Sequence, residues 1–310
     1  MRLDDQRRSQ NVEYRTGSGG RGGGGGFGGL PFRIRGLGIG GIIVIGLILF
    51  LMPANLRNMI LGQVLGGGGS SLTESAGTTE ASSSCPQGQE QSCQFFEAVL
   101  GSTEDVWRTK FQQGALPNYG RTPQSYTEPR LVVFFGPNVD TACGAASTDV
   151  GPFYCPGDSQ LYINPSFYQT MAQRLNADGD FAQAYVIAHE VGHHIQNLIG
   201  ATRFTDQARG TPQENQMSVR LELQADCLAG VWGHTAQGDL AIDEADLREA
   251  LNAAHQIGDD TLQRNSRGYA TESTFTHGSS DQRVRWFRTG FQSGDARQCD
   301  TFAVRDFRQL

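Results

Sequence analysis

Apolar residues recur at helical spacing along residues 181–199, and this is the clearest periodic pattern in the chain. They lie three or four residues apart, which places them on one face of a helix. The apolar positions are 181, 184, 185, 188, 191, 195, 198 and 199. Asp178 or Asp180 can cap the start of this helix, and Gly200 can end it. The pattern predicts an amphipathic helix with one buried face.

From residue 93 onward the chain combines further helix-like stretches with two short strand-like runs. We predict strands over 130–135 and 159–164, which are ended by prolines at positions 137 and 165. Further helices are predicted over 93–114, 165–176, 214–236, 243–257 and 281–292. This order indicates an α+β fold, mostly helical with a small β-sheet, in one domain over 93–310.

The predicted helix 181–199 carries the sequence H-E-x-x-H, formed by His189, Glu190 and His193. Residues four apart share a face of a helix, so both imidazoles can bind one metal ion. The carboxylate of Glu190 lies beside them, where it can take a proton from metal-bound water. The chain has only 6 histidines, so this spacing favours one catalytic Zn²⁺ per chain over a helix with hydrogen-bonded histidines.

A catalytic zinc site uses three protein ligands, and the predicted helix 214–236 offers the third. Glu222 and Asp226 are four residues apart and share a face of that helix. We predict that Glu222 binds the metal and that Asp226 accepts a hydrogen bond from a ligating histidine. A solvated acidic pair is the alternative. Gly192 costs about 1 kcal/mol inside a helix, which indicates that the two helices approach closely there.

Two other histidines were weighed as ligands. His234, on the same predicted helix as Glu222, competes for the third position. His194 follows His193 directly and points about 100° away from it on a helix, so it is not expected to bind the metal.

The first 56 residues differ in composition from the rest of the chain. Arginines crowd a glycine-rich stretch, at positions 2, 7, 8, 15, 21, 33 and 35. Residues 36–56 then carry no charge, and a helix of that length spans about 31 Å, enough for a hydrocarbon core of about 30 Å. We therefore predict one transmembrane helix at 36–56, in contact with the lipid bilayer. A cleaved signal peptide and a buried core helix are the alternatives.

The distribution of arginine predicts the orientation of this span. Residues 1–35 are predicted to be a disordered cytoplasmic tail. For its glycine- and arginine-rich run, Gly17 to Gly29, an RNA-binding tail is the alternative. Residues 57–92 are rich in Gly, Ser and Thr and are predicted to be a flexible linker. The protein is thus expected to be a single-pass protein of the cell (inner) membrane, with its catalytic domain in the periplasm.

All six cysteines follow the apolar stretch. An even number of cysteines on the exported side is typical of disulfides formed in an oxidising compartment. Many pairings are possible, and local spacing favours Cys85–Cys93 and Cys143–Cys155, which leaves Cys227–Cys299. A cysteine-ligated zinc is disfavoured because no C-x-x-C occurs.

The sequence H-E-x-x-H followed by E-x-x-x-D resembles the glutamate-type zincins, and within them the bacterial "putative neutral zinc metallopeptidase" family. The resemblance runs from about residue 85 to the C-terminus, and it covers the basic N-terminus and the apolar stretch loosely. The stretches that carry it are 103–107, 142–144, 151–156, 189–194, 220–227 and 276–283. It implies a zincin-like domain that hydrolyses peptide bonds. It also implies that a strand along the cleft, here Gln160–Asn164, pairs with an extended substrate.

Thr276-His277, followed by Arg283-Val284, resembles an element of HtpX-type and CAAX-processing membrane metallopeptidases, with Gly278 in place of their proline. The resemblance implies that His277 donates a hydrogen bond to the oxyanion of the tetrahedral intermediate. Arg283 would then brace the site or pair with Asp226. A surface-loop histidine and a helix-face arginine are the alternative.

The function predicted from these features is a membrane-anchored zinc metalloendopeptidase that cleaves peptide or protein substrates, with Glu190 as general base. The mildly acidic composition, with 32 Asp and Glu against 25 Lys and Arg, argues against a nucleic-acid partner. Two alternatives stay open: a non-hydrolytic zinc-binding domain of the envelope, and a zinc amidase acting on cell-wall material. An intact Glu190 disfavours the first, because a pure binding site does not need that carboxylate.

Overall fold

The structure is a computed structural model that describes residues 1–17, 79–120 and 125–310. These residues form eight α-helices, a five-stranded sheet and a separate two-stranded hairpin. The α+β class, mostly helical with a small sheet, is confirmed for this part of the chain. No helix in these ranges has the length and apolar character that a membrane crossing requires, and the predicted span 36–56 lies outside them.

Six of the helices correspond to those predicted from periodicity, within a few residues at each end. In chain order the helices are α1 Glu90–Gln112, α2 Ser166–Leu175, α3 Asp180–Ile199, α4 Thr202–Ala208, α5 Glu214–Ala236, α6 Glu244–Gln256, α7 Asp259–Arg267 and α8 Ser280–Ser293. Gly200 ends α3 in the left-handed conformation, as expected. Its N-cap is Gly179, so neither of the two predicted aspartates caps this helix. The sequence did not predict α4 and α7, which are short and polar.

Five strands form the main sheet and two form the hairpin. In chain order the strands are β1 Val12–Gly17, β2 Thr79–Ser82, β3 Arg130–Phe134, β4 Asn138–Thr141, β5 Gly144–Ser147, β6 Phe153–Cys155 and β7 Gln160–Ile163. The order in the sheet is β2-β1-β3-β7-β6. β3 pairs in parallel with β1 and β7, whereas β2 and β6 pair antiparallel at the two edges. Alternate residues of β3 face two different apolar clusters, so both faces of this strand are covered.

The two strands predicted from sequence are present as β3 and β7. Because β7 lies between β3 and β6, the backbone of both its edges is already paired. The expectation that Gln160–Asn164 pairs with an extended substrate is therefore wrong. The strand with an unpaired outer edge among the described strands at this end of the sheet is β6.

The disordered tail predicted for residues 1–35 is wrong for residues 1–17, which pack on the domain and supply β1. The predicted linker 57–92 likewise contains β2 and the first turn of α1, so the folded domain includes residues before 93. Composition misled both predictions, because the Gly and Ser content of the neighbouring residues masked short strands. The remainders of the two predicted segments, residues 18–35 and 57–78, lie outside the described residues.

Helices α3, α5 and α8 approach one another closely because glycines lie at their crossings. A Cβ on Gly192 of α3 would lie 3.1 Å from the Cα of Ala225 on α5. This contact confirms the packing reason expected for a glycine inside the motif. A Cβ on Gly290 of α8 would lie 1.9 Å from the carbonyl oxygen of Cys227 on α5. The backbone separation leaves no room for a side chain at Gly290, and a Cβ at Gly192 would require a small shift of α5.

The two disulfides favoured by cysteine spacing and the third pair that they leave are all present. Cys85–Cys93 joins the start of α1 to the segment before it. Cys143–Cys155 joins the β4–β5 turn to the edge strand β6. Cys227–Cys299 joins α5, one residue after Asp226, to the C-terminal segment, and no free cysteine occurs among the described residues.

Candidate metal centre

Helix α3 directs His189, Glu190 and His193 into one cleft. One nitrogen or oxygen atom of each side chain lies within 4.8 Å of those of the other two. His189 is buried and His193 is partly buried, because α3 packs between the sheet and α5. The four-residue spacing thus brings both imidazoles to the same point, next to the carboxylate of Glu190.

Glu222 of α5 lies opposite the two histidines. Its Oε2 is 3.2 Å from His189 Nε2, and its Oε1 is 3.4 Å from His193 Nε2. The Glu222 side chain is 1% exposed, and Oε1 has no hydrogen-bond partner in the described part of the chain. A buried carboxylate oxygen without a donor favours a cation beside it. Two imidazole nitrogens and one carboxylate are a donor set that suits Zn²⁺.

Asp226 holds the ring of His189 from behind. Its Oδ1 is 2.8 Å from His189 Nδ1 and accepts a hydrogen bond from the hydroxyl of Tyr185 at 2.6 Å. With the Nδ1 proton directed at Asp226, Nε2 is the ring atom that points to Glu222 and the cleft. Asp226 thus lies where it was predicted. Tyr185 was missed, although its position four residues before His189 places it on the same face of α3.

Gln196 holds the ring of His193 in the same way. Its Oε1 is 2.8 Å from His193 Nδ1, and its Nε2 donates to the backbone carbonyl of Leu221 at 2.6 Å. A fully buried glutamine therefore connects the second histidine to α5, next to Glu222. Sequence reasoning missed Gln196, and its spacing of three residues from His193 is the pattern that could have found it.

Arg283 of α8 forms an ion pair with Asp226, which is one of the two roles that the resemblance implies for it. Its Nε donates to Asp226 Oδ2 and its Nη2 to Asp226 Oδ1, both at 2.8 Å. The Arg283 side chain is 3% exposed and Asp226 is fully buried. A guanidinium in this bidentate geometry orients the carboxylate that in turn orients His189.

The site holds two buried carboxylates whose ionised forms are stabilised by neighbouring cationic groups. Burial would raise the pKa of Asp226, but Arg283 and His189 outweigh it and lower that pKa to about 2. Burial likewise opposes ionisation of Glu222, yet the pKa of Glu222 is lowered by His193 and His189. Burial would lower the pKa of His189, and Asp226 and Glu222 raise it to about 10. Two ionised carboxylates facing these imidazoles favour a bound cation.

Glu190 differs from the other carboxylates of the site. Burial raises its pKa, against the lowering influence of His193 and His189. A carboxylate with a raised pKa accepts a proton more readily near neutral pH, as a general base must. Glu190 therefore has the environment expected of the group that exchanges protons.

His277 lies in a loop before α8 and lines the same cleft. Asp259 Oδ1 is 3.1 Å from His277 Nδ1. Its other oxygen, Oδ2, accepts the backbone N–H groups of Thr276 and His277, both at 2.7 Å, and of Gly278 at 3.1 Å. One carboxylate therefore holds both the loop and the ring. Burial would lower the pKa of His277, and Asp259 outweighs it and raises that pKa. Sequence reasoning missed Asp259.

The cleft beside the histidines contains a cavity of about 210 Å³ with mainly apolar walls. Its apolar lining comes from β6, α2, α5 and the loop after α6, and includes Phe153, Phe167, Met171, Leu221 and Ile257. The edge strand β6 thus borders the same cleft as the histidines. Such walls can bury an apolar group of a ligand.

The remaining histidines considered as ligands lie apart from this arrangement. His194 Nε2 is 2.7 Å from the carbonyl oxygen of Thr127 and its Nδ1 is 3.1 Å from the hydroxyl of Tyr154. Burial lowers the pKa of His194 to about 4, as expected of a structural histidine. His234 Nδ1 lies 2.7 Å from the carbonyl oxygen of Phe291 and is not part of the cleft lining. Neither residue faces Glu222.

The chain matches one protein family and is similar to known bacterial proteins. Residues 1–302 match the family described as putative neutral zinc metallopeptidase. The chain is similar to the uncharacterized protein YpfJ of Escherichia coli strain K12, with 42% identity over 307 residues that cover 97% of this chain and 99% of YpfJ. It is also similar to the uncharacterized protein Rv2575 of Mycobacterium tuberculosis strain H37Rv, with 42% identity over 192 residues that cover 58% of this chain and 64% of Rv2575. No solved structure matches it.

Proposed function

Because this chain belongs to the putative neutral zinc metallopeptidase family, we propose that it hydrolyses peptide bonds of peptides or proteins at a single zinc ion. His189, His193 and Glu222 are the proposed ligands, and Glu190 is the proposed general base. The observation that supports this most directly is the approach of Glu222 to both imidazoles, within 3.4 Å, in the cleft that Glu190 lines.

Zinc held by these three residues would supply a Lewis acid that polarises a water molecule and the carbonyl of the scissile bond. Glu190 takes the proton of the attacking water and delivers it to the leaving amine. Asp226 and Gln196 keep the Nδ1 proton of each histidine away from the cleft, so both Nε2 atoms stay available. The contacts of Asp226 and Gln196 thus support a role in orienting the ligating histidines.

His277 is the proposed donor to the oxyanion that forms on the scissile carbonyl. Its Nδ1 faces Asp259, whose charge raises the pKa of His277 and favours the imidazolium, in which the opposite ring atom, Nε2, also carries a proton to donate. Removing a donor of this kind typically lowers kcat by about 10²- to 10³-fold. We expect a reduction in that range for His277→Ala, with zinc content unchanged.

The proposed substrate is an extended peptide with an apolar side chain near the scissile bond. The outer edge of β6 is unpaired among the described strands and can pair with a substrate backbone. The apolar lining of the cleft can accept the side chain. Cys143–Cys155 fixes the end of β6 and therefore the position of this edge.

We also propose that the catalytic domain lies outside the cytoplasm. Three disulfides within one small domain are typical of an oxidising compartment. Contact with the bilayer through residues 36–56 stays a prediction from sequence, since those residues lie outside the described ranges.

The test compares wild-type full-length protein with Glu190→Gln on a quenched fluorescent peptide library, with zinc content measured on the same samples. We expect one zinc per chain in both proteins and a rate lower by about 10²- to 10⁴-fold in the variant. Glu244→Gln is the matched control, because Glu244 is 94% exposed on α6, and it should leave the rate unchanged.

Two results would overturn the proposal. A Glu190→Gln variant that cleaves at the wild-type rate removes the general-base role. Wild-type protein that binds zinc but cleaves no peptide points to a non-hydrolytic domain, and release of fragments from purified peptidoglycan instead points to the amidase alternative.

A further inference from the structure

Glu104 of α1 is a fully buried carboxylate, and residues 7–11 supply its hydrogen-bond donors. Arg7 Nη2 donates to Oε2 at 2.6 Å, Ser9 Oγ to Oε1 at 2.6 Å and Asn11 Nδ2 to Oε1 at 2.8 Å. No other hydrogen-bond donor to this carboxylate occurs within the described residues. A buried carboxylate needs such donors, so α1 provides a specific binding position for residues 7–11.

The backbone of the same segment lies against α1 at a position where only glycine fits. A Cβ on Gly101 would lie 2.3 Å from the carbonyl oxygen of Arg7. Ser9 N donates to the carbonyl oxygen of Glu97 at 3.0 Å, and the hydroxyl of Tyr14 donates to Glu97 Oε1 at 2.7 Å. The surface of α1 is therefore complementary to this segment in shape, charge and hydrogen bonding.

Strand β1 carries the segment into the main sheet. Leu131 N donates to the carbonyl oxygen of Asn11, and Phe135 N donates to that of Arg15, both at 2.9 Å. These bonds flank a four-residue parallel register between β1 and β3. Tyr14 is 1% exposed and belongs to the main apolar core. Removal of β1 would expose this core and an edge of β3.

Strand β2 pairs with β1, so the chain re-enters the sheet beside the strand from which it left. Gly17, the last residue of β1, is paired directly with Thr79, the first residue of β2. The apolar stretch 36–56 therefore belongs to an insertion whose two ends lie side by side at the sheet. Within that insertion, residues 57–78 contain no second apolar run of the roughly 20 residues that a crossing needs.

From these contacts we infer that residues 1–17 and 79–310 fold as one unit on the same side of any membrane that residues 36–56 enter. A single crossing by 36–56 would place a bilayer between β1 and its partners β2 and β3. That separation is incompatible with the pairing. The N-terminal segment therefore accompanies the catalytic domain, and the cytoplasmic tail predicted from the arginine distribution is replaced by a strand of the domain.

The first test measures sidedness with two matched single-cysteine variants of the full-length protein. Gln10→Cys and Gln173→Cys both replace exposed glutamines, one in the N-terminal segment and one on α2. All six native cysteines are in disulfides, so each variant has one free thiol. Cells with a permeabilised outer membrane are treated with a membrane-impermeant maleimide, and labelling is compared with that after lysis.

We expect both cysteines to be labelled to the same extent, or both to be protected. Labelling of residue 173 with protection of residue 10, or the reverse, places the two segments on opposite sides and overturns the inference.

The second test asks whether the segment is docked, independently of any membrane. Ser9 is 3% exposed and Gln10 is exposed, so Ser9→Cys and Gln10→Cys differ by one position. In detergent-solubilised protein we expect Ser9→Cys to react at least about tenfold more slowly, and adding Glu104→Ala should reduce that difference. Equal rates in the wild-type background would show a free segment and overturn the inference.

Discussion

Arg283 on α8 and Asp226 on α5 are joined by two hydrogen bonds of 2.8 Å between the guanidinium and the two carboxylate oxygens. The same carboxylate contacts Nδ1 of His189 on α3. A single buried ion pair therefore links three helices behind the proposed metal ligand. Helix α8 controls the position of His189 although it carries no ligand itself.

Removing the guanidinium leaves Asp226 buried without its cation. We expect Arg283→Met to lower the free energy of unfolding by about 3–5 kcal/mol, the usual cost of breaking a buried ion pair from one side. Denaturant unfolding followed by circular dichroism measures this. Arg288→Met, on the exposed face of the same helix, is the control and should change stability by less than about 0.5 kcal/mol. A loss below about 1 kcal/mol for Arg283→Met would show that Asp226 finds another partner.

Gln196 is expected to contribute to zinc affinity and not to take part in the hydrolytic step. Gln196→Ala removes the contact with His193 Nδ1 and the hydrogen bond to the carbonyl of Leu221. Zinc affinity should fall by about 10- to 100-fold, as for other residues that orient a ligating histidine. Competition with a zinc-binding dye measures the change. Gln183→Ala, also on α3 but away from the histidines, should bind zinc as the wild type does, and equal affinity in both variants would contradict the assigned role.

Gly192→Ala has two opposing effects on stability, a gain in helix propensity and a loss in packing. Alanine favours a helix interior by about 1 kcal/mol, but its Cβ would lie 3.1 Å from the backbone of Ala225. Because backbone atoms cannot move aside as a side chain can, we expect a net loss of about 1 kcal/mol or more in stability and weaker zinc binding. Gly238→Ala, where nothing lies within 4 Å, should be neutral or slightly stabilising. A more stable Gly192→Ala protein would show that α5 can shift.

Asp259 should make stability sensitive to acid. Burial would raise its pKa, but His277 and the backbone donors of residues 276 and 277 lower it below the ordinary value of 3.8. The unfolded chain then binds the proton more tightly than the folded one. The stabilisation is therefore complete above pH 3.8 and is lost as the pH falls below it.

The measurement is the free energy of unfolding of wild type and Asp259→Asn at about pH 6 and about pH 3. We expect the variant to be less stable by about 1–3 kcal/mol at the higher pH, because three backbone donors lose a charged acceptor. The difference should shrink at the lower pH. A difference that stays constant with pH would contradict the lowered pKa.

Helical periodicity was sufficient to place most of the candidate site. His189 and His193, like Glu222 and Asp226, share helix faces because they are four residues apart. That the two helices face each other is inferred from chemistry, because the two histidines need a third metal ligand and Glu222 can provide it. Gln196 also lies on this periodicity, but its contact with the carbonyl of Leu221 depends on the register of α3 against α5, which no local pattern encodes.

Asp259 and the N-terminal strand were harder to predict for different physical reasons. Asp259 acts on a loop 18 residues later in the chain, and a loop conformation depends on tertiary contacts. The strand β1 does have a local pattern, since buried Val12 and Tyr14 alternate with the charged residues Glu13 and Arg15. The glycine and arginine content of the flanking residues concealed that alternation.

The order of residues along the chain has a consequence for biogenesis of the protein. The histidines of α3 and the glutamate of α5 leave the ribosome before Arg283 and Cys299 do. A nascent chain therefore carries all three proposed ligands while the ion pair on Asp226 and the Cys227–Cys299 bond are still missing. The contacts that hold Asp226 and α5 in place are therefore complete only after α8 and the C-terminal segment have docked.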